Sequence, residues 1–256
     1  MATFAPLLEK LSYAPMQKEV FRQYVAQCAG LLGDIDTQLE ILKACGFPFI
    51  ELGDSFALGT RFINWREAKL CFVDIETTGA KPKDSQIIEI GAIQYQNGAI
   101  IDTFESYIYA PIVPDEISAL TGIYAKDLAN APSQEEVLRK FRLFLQDCIF
   151  VAHNVGFDYN FLDFSFQKHS IAGLLCPKLC TIDLAKQCIC SPRYSLSFLN
   201  TFLGINTPTS HRAYADALTA LEVFKIACFC IPDSIKTVQD LIDFSKLGRA
   251  ILNHKK

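Results

Sequence analysis

The sequence predicts an α/β fold preceded by a small helical module. Three observations carry that expectation. Leu70-Cys71-Phe72-Val73 is a continuous apolar run and reads as a central strand buried on both faces. Two strand-like runs flank Asn97-Gly98, a dipeptide that supplies the positive φ angles of a tight hairpin turn. Ser133, with Glu136 three positions on, forms a capping box and opens a helix, and strands and helices mix from there on.

The chain has 256 residues, half of them hydrophobic, with mean hydropathy +0.20. That length suits one large domain plus a smaller one, with a sizeable core. No internal repeat or low-complexity stretch is visible. No apolar run approaches the span of a bilayer. Met1–Lys10 also lacks the charged, apolar and cleavable segments of an export signal. A cytoplasmic protein with no membrane partner is expected. Ten cysteines suit small buried hydrophobes better than staples in a chain this apolar. Cys176-x-x-x-Cys180 and Cys188-x-Cys190 make no pair of zinc knuckles, so no structural zinc is expected. A net charge of −4 argues against broad coating of duplex DNA, yet leaves room for an enzyme acting on nucleic-acid ends.

Taken in order, Lys18–Leu32 carries Val20, Phe21, Tyr24 and Val25 at helical spacing. Asp34 or Asp36 caps a second helix with Leu39, Ile41 and Leu42, which Gly46 ends. Phe47–Leu52 and Phe56–Phe62 read as strands around Gly53-Asp54. Helices followed by a hairpin fit a winged-helix-like module, or a helical extension packed on the main domain. The second helix is not basic, so reading a DNA groove with it is not expected.

In the main domain, Ile87–Tyr95 and Ile100–Tyr109 form the hairpin strands. The capped helix runs to about Gln146, and Ile149–Ala152 is a short buried strand. Helices follow over Phe157–His169 and Ala213–Cys228. The predicted boundaries are 1–66 for the module, 67–232 for the main domain and 233–256 for a C-terminal helix. Gln239–Phe244 faintly resembles a sliding-clamp peptide, but Leu241, Phe244 and Leu247 fit a packed amphipathic helix better.

Three short segments carry chemistry. Asp74 and Glu76 sit two apart at the end of the buried strand, so both side chains point to one face. Side-by-side carboxylates repel unless a cation joins them. A solvated pair at a strand end is the plain alternative. Asp158 follows a buried strand, behind His153-Asn154, in the kind of turn where sites gather on α/β sheets. By itself it could simply favour a helix dipole. His211 and Asp216 flank the last helix start, and a histidine there can take a proton at neutral pH. Together the four acids read as a site that holds two divalent cations for phosphodiester hydrolysis.

Asp74-Ile75-Glu76-Thr77-Thr78-Gly79, His153-Asn154-Val155-Gly156-Phe157-Asp158 and His211-Arg212-Ala213-Tyr214-Ala215-Asp216 resemble the three motifs of the DEDDh 3′–5′ exonucleases. That family includes the proofreading epsilon subunit of bacterial DNA polymerase III. The resemblance runs from about Lys69 to Ile231. It takes in Leu120-Thr121-Gly122-Ile123, which is similar to the family's substrate-side helix.

It implies an RNase H-like fold, a five-stranded mixed sheet flanked by helices. It implies that Asp74, Glu76 and Asp216 hold one Mg²⁺ or Mn²⁺ ion beside the attacking water. Asp74 would bridge to a second ion, with Asp158 acting through water. His211 would be the general base. Thr77, Thr121, Asn154 and Phe157 would line the pocket for the terminal nucleotide, although Phe157 reads equally well as core.

The expected function is release of nucleoside 5′-monophosphates from single-stranded or mispaired DNA 3′ ends, in proofreading or repair. DNA is favoured over RNA, and a DNA polymerase subunit is a candidate partner. The same chemistry as an exoribonuclease or oligoribonuclease is one alternative. A non-catalytic, polymerase-associated binding module is another. Two departures from the epsilon pattern stand out: roughly seventy residues precede the first motif, and little chain follows the fold.

Overall fold

The structure is a computed structural model that describes residues 4–27, 34–207 and 211–253. The first part holds α1 (Ala5–Tyr13), β1 (Met16–Gln17), α2 (Lys18–Gln27), α3 (Ile35–Ala44), β2 (Phe49–Leu52) and β3 (Ser55–Leu58). The strands form an antiparallel sheet in the order β1–β3–β2. Asp34 caps α3 by accepting from Thr37 N–H at 2.9 Å. The core is rich in phenylalanine: Phe21 lies 4.6 Å from Phe56 and 5.3 Å from Phe49, between ring centroids. Leu7, Leu11, Val25 and Leu42 close around them.

One expectation changes here. The strand foreseen over Phe56–Phe62 ends at Leu58, and the chain coils over Gly59–Arg61. Pro48 has no N–H to continue the ladder, so the last pair is Phe49 with Leu58. The part of the first helix foreseen beyond Gln27, as far as Leu32, lies outside the described residues. Helix α1 was not foreseen, although Pro6 at its start and Leu7/Leu11 at i, i+4 are signals for it.

The main sheet runs in the order β6–β5–β4–β7–β8, built from β4 (Leu70–Thr77), β5 (Ile87–Gln96), β6 (Ala99–Tyr107), β7 (Ile149–Ala152) and β8 (Lys178–Cys180). β4, β5 and β6 are antiparallel, whereas β4, β7 and β8 are parallel. The helices are α4 (Asp115–Thr121), α5 (Ala125–Leu128), α6 (Gln134–Leu145), α7 (Val155–Lys168), α8 (Thr181–Cys188), α9 (Leu196–Phe202), α10 (Ala213–Cys228) and α11 (Val238–Asn253). This is the five-stranded mixed sheet that the motifs imply.

Alternation along β4 sorts the two layers. Cys71, Val73 and Ile75 pack with Phe141 of α6 and Leu162 of α7. Leu70 and Phe72 point the other way, onto Ala217 and Phe224 of α10 and Leu241 of α11. In α11, Leu241 is buried and Phe244 packs beside it, but Leu247 is 54% exposed. The buried side of that helix runs through Ile242 and Ser245, so Leu247 falls outside the apolar stripe expected of it.

The first part meets the main domain where β7 and β8 begin. Leu175 N–H donates to Cys45 O at 2.8 Å, and the Arg142 guanidinium donates to Ala44 O. Gly46, at φ 80°, lets the chain turn against Cys176, whose Cβ lies 2.9 Å from where a side chain would start. Among the described residues no helix is long and apolar enough to cross a membrane.

Candidate active site

The site forms at the opposite end of the sheet, where β4 and β7 finish. Asp74 and Glu76 continue the Leu70–Phe72 row, so the face that is apolar beneath α10 turns acidic beside the start of that helix. Across the ladder, Asp74 faces Gly91 and Glu76 faces Glu89. A Cβ at Gly91 would fall 2.1 Å from Tyr214 N, so only glycine lets α10 come down onto the sheet.

β7 ends at Ala152, and Asn154 at φ 72° turns the chain directly into α7. That turn places Asp158 in the first helical turn, 3% exposed. The helix begins at Val155, two residues before the expected Phe157. His153 is a post rather than a reactant: Nδ1 lies 2.9 Å from Thr181 Oγ1 and Nε2 2.8 Å from Tyr194 O. Burial pushes its pKa down to about 4, against the pull of the Tyr194 carbonyl, which keeps it neutral.

At the third segment, His211 has φ 63° and its N–H donates to Asp216 Oδ2 at 2.9 Å. Glu76, His211 and Asp216 each present a ligand atom within 4.8 Å of the other two. Among the described residues this is the one such group. Asp74 and Asp158 stand beside it and outside that tight set.

The carboxyls interact strongly. Burial, then Asp158, Asp216, Glu76 and Glu89, raise Asp74 well above the usual carboxylate range. Burial, then Asp216, Glu89 and Asp158, push Glu76 up to about 8, with Arg212 opposing. Burial lifts Asp158 to about 7, against hydrogen bonds from the backbone N–H groups of Asp158 and Ile75. Burial also raises Asp216, while the N–H and ring of His211 oppose it. Acids that cling to protons this way are poised for a divalent cation, which neutralises the repulsion. The carboxylate oxygens of these four acids fit Mg²⁺ or Mn²⁺.

The four residues expected to line the nucleotide pocket differ in freedom. The Thr77 hydroxyl donates to Gly79 O at 2.8 Å. The Thr121 hydroxyl donates to Ile117 O and accepts from Ile123 N–H. Both threonines are buried. Asn154 is exposed, and Phe157 is half-buried with its ring 5.8 Å from Phe161. Sequence reasoning missed Glu89, Gly91 and Arg212. A lone acid and a glycine inside the apolar run Ile87–Ile93 were the available signals.

The five-stranded mixed sheet, with acids gathered where β4 and β7 finish, defines an α/β fold with a candidate cation site. Residues 71–224 match the RNase T exonuclease family, and the chain belongs to it. It is similar to the PolC-type DNA polymerase III of Thermotoga petrophila, 35% identical over 193 residues, which are 72% of this chain and 14% of that protein. It is also similar to the 3′-5′ exonuclease DinG of Staphylococcus aureus, 36% identical over 162 residues, covering 62% of this chain and 18% of that protein. The chain therefore matches only a small part of these longer relatives. Its fold resembles E. coli exonuclease I solved in complex with a dT13 oligonucleotide, with TM-score 0.59 at 16% identity, covering 64% of this chain and 42% of that one.

Proposed function

We propose that this chain is a two-ion DEDDh 3′–5′ exonuclease that removes nucleoside 5′-monophosphates from single-stranded or mispaired DNA ends, in proofreading or repair. The observation that carries this reading is the convergence of Glu76, His211 and Asp216 within 4.8 Å, beside the interacting acids Asp74 and Asp158. The DNA preference draws support from the DNA polymerase III relatives. A polymerase subunit is the partner class this suggests.

Asp74, Glu76, Asp158 and Asp216 would hold a pair of Mg²⁺ or Mn²⁺ ions. When bound, such ions supply positive charge for the attacking and leaving oxygens of the displacement. His211 takes the proton of the attacking water at the ring nitrogen that faces Glu76 and Asp216. The water oxygen bonds to phosphorus, the bond to the 3′ oxygen breaks, and that oxygen takes a proton from solvent, so the shortened strand leaves with a 3′-hydroxyl. Thr77, Thr121, Asn154 and Phe157 shape the pocket for the terminal nucleotide, with Phe157 stacking on its base.

Residues 1–66 form a helical module with a hairpin, winged-helix-like or an extension of the main domain, 67–232 the nuclease domain, and the C-terminal segment from 233 carries a helix packed on it. The test is degradation of matched DNA and RNA single strands in Mg²⁺, by the wild type and by Asp74→Ala. Mononucleotide release from DNA by the wild type alone is expected. Equal degradation by both proteins contradicts the reading, and a preference for RNA replaces its substrate.

A further inference from the structure

We propose that Glu89 and Arg212 form a clamp, anchored on the buried Glu89, that holds His211 and Asp216 against Glu76, making Glu89 and Arg212 positioning residues for the exonuclease site. The inference rests on the exonuclease reading above. Glu89 is 1% exposed and lies on β5 directly across from Glu76. Its carboxylate receives the fork of Arg212: Nε donates at 3.2 and 3.3 Å to the two oxygens, and Nη2 at 2.8 Å to Oε1. The Ala213 N–H adds a bond to Oε2 at 3.0 Å. The donors to this one buried acid thus come from the two residues that follow His211.

The guanidinium also lies near two residues of β6. Nη2 is 3.9 Å from Glu105 Oε1, and the group lies 5.3 Å from the centroid of the Tyr107 ring. Tyr107 pairs with Glu89 across the ladder, and Glu105 pairs with Gly91. Arg212 therefore spans β5 and β6 at the rungs where Gly91 admits the first turn of α10. Residues 211–214 cannot shift without stripping the buried Glu89 carboxylate of its Arg212 and Ala213 donors, which is strongly disfavoured. Asp216 sits one turn further along the same helix, and its carboxylate accepts the His211 N–H. Fixing Arg212 and Ala213 fixes both.

An arginine beside a nuclease site suggests a grip on substrate phosphate. The hydrogen bonds point elsewhere, because Nε and Nη2 both donate to Glu89. A phosphate grip and a positioning clamp differ in what they change. Loss of a grip raises KM and flattens the salt dependence. Loss of a clamp lowers kcat and weakens cation binding while KM stays put.

The experiment uses the full chain with Glu89→Gln, Arg212→Lys and the double variant. Steady-state kinetics on single-stranded DNA at several salt concentrations are paired with calorimetric titration of Mn²⁺ and with thermal unfolding without metal. Each single variant is expected to weaken Mn²⁺ binding roughly 10–100-fold, the usual cost of losing a partner that orients metal-holding residues. kcat should fall in step, KM and the salt slope should hold, and the double variant should fall little further than either single one. A raised KM with unchanged Mn²⁺ binding in Arg212→Lys overturns the proposal in favour of a phosphate grip. Unchanged kcat and Mn²⁺ affinity in the folded variants reduce the pair to packing. If Glu89→Gln does not fold, Arg212→Lys decides alone, since it keeps the positive charge. Calorimetry needs no substrate, so the clamp is judged even if the wild type leaves DNA intact, an outcome that fails the exonuclease reading instead.

Discussion

The two ends of the main sheet are built on opposite principles. Where β4 and β7 finish, acids crowd together, a glycine admits a helix backbone, and His211 adopts a left-handed φ of 63°. Where β7 and β8 begin, the phenylalanine-cored module rests on the sheet through a few backbone bonds and apolar filling. The first end spends stability on placing charge, and the second gains it by removing apolar surface from water. Cation binding should therefore govern one end and packing the other, with little traffic between them.

The largest effect is expected from Asp74→Asn. On the proposed two-ion reading, losing this acid forfeits several kcal/mol of transition-state stabilisation, about 10³-fold in rate. Melting without metal should be unchanged or higher, because a repelled buried charge disappears. Mononucleotide release and a melting curve measure both, and a variant that unfolds would show that the acids stabilise the fold instead.

Phe21→Ala strikes the other end. Truncating a fully buried phenylalanine costs about 3–5 kcal/mol. Activity of the folded protein should stay within about twofold, since no site residue shares its contacts. Urea unfolding alongside the nuclease assay tests this, and parallel collapse of both readouts would erase the contrast between the ends. Gly91→Ala should also cost stability, because its Cβ would meet the α10 backbone at 2.1 Å and the helix must move off the sheet. It should cost far more activity than Phe21→Ala, because the clash falls on Tyr214, two residues before Asp216.

The smallest effect is in pH. Without metal, folded Glu76 titrates at about 8 against an ordinary 4.5, and Asp158 at about 7 against 3.8. Between their unfolded and folded values the native state holds protons that the unfolded chain has released, so stability falls as pH rises. His153 acts in the opposite sense, but only below its ordinary 6.5. Melting in chelator should therefore drop from pH 6.5 to 8, more steeply for the wild type than for Glu76→Gln. Mg²⁺ should remove the drop. Identical slopes for the two proteins would mean that Glu76 is not held protonated.

The site was legible where its chemistry is local. Asp74 and Glu76 end an apolar strand, and Asp158, His211 and Asp216 sit at helix starts, so spacing and type made them candidates, and the fold brings Glu76, His211 and Asp216 together. Glu89, Gly91 and Arg212 were not, because their roles appear only when β5 and α10 meet across more than a hundred residues. β8, three residues long, is too short to show a period. Leu247 followed the apolar pattern yet faces solvent, since the neighbours of a helix decide which stripe is covered.

The central claim is that these acids act as one cation cage. Calorimetric titration of Mn²⁺ into the metal-free protein at neutral pH tests it most directly. The account predicts uptake of a pair of ions by the wild type and loss of that uptake in Asp74→Asn. No uptake, or the same isotherm for both proteins, would contradict it.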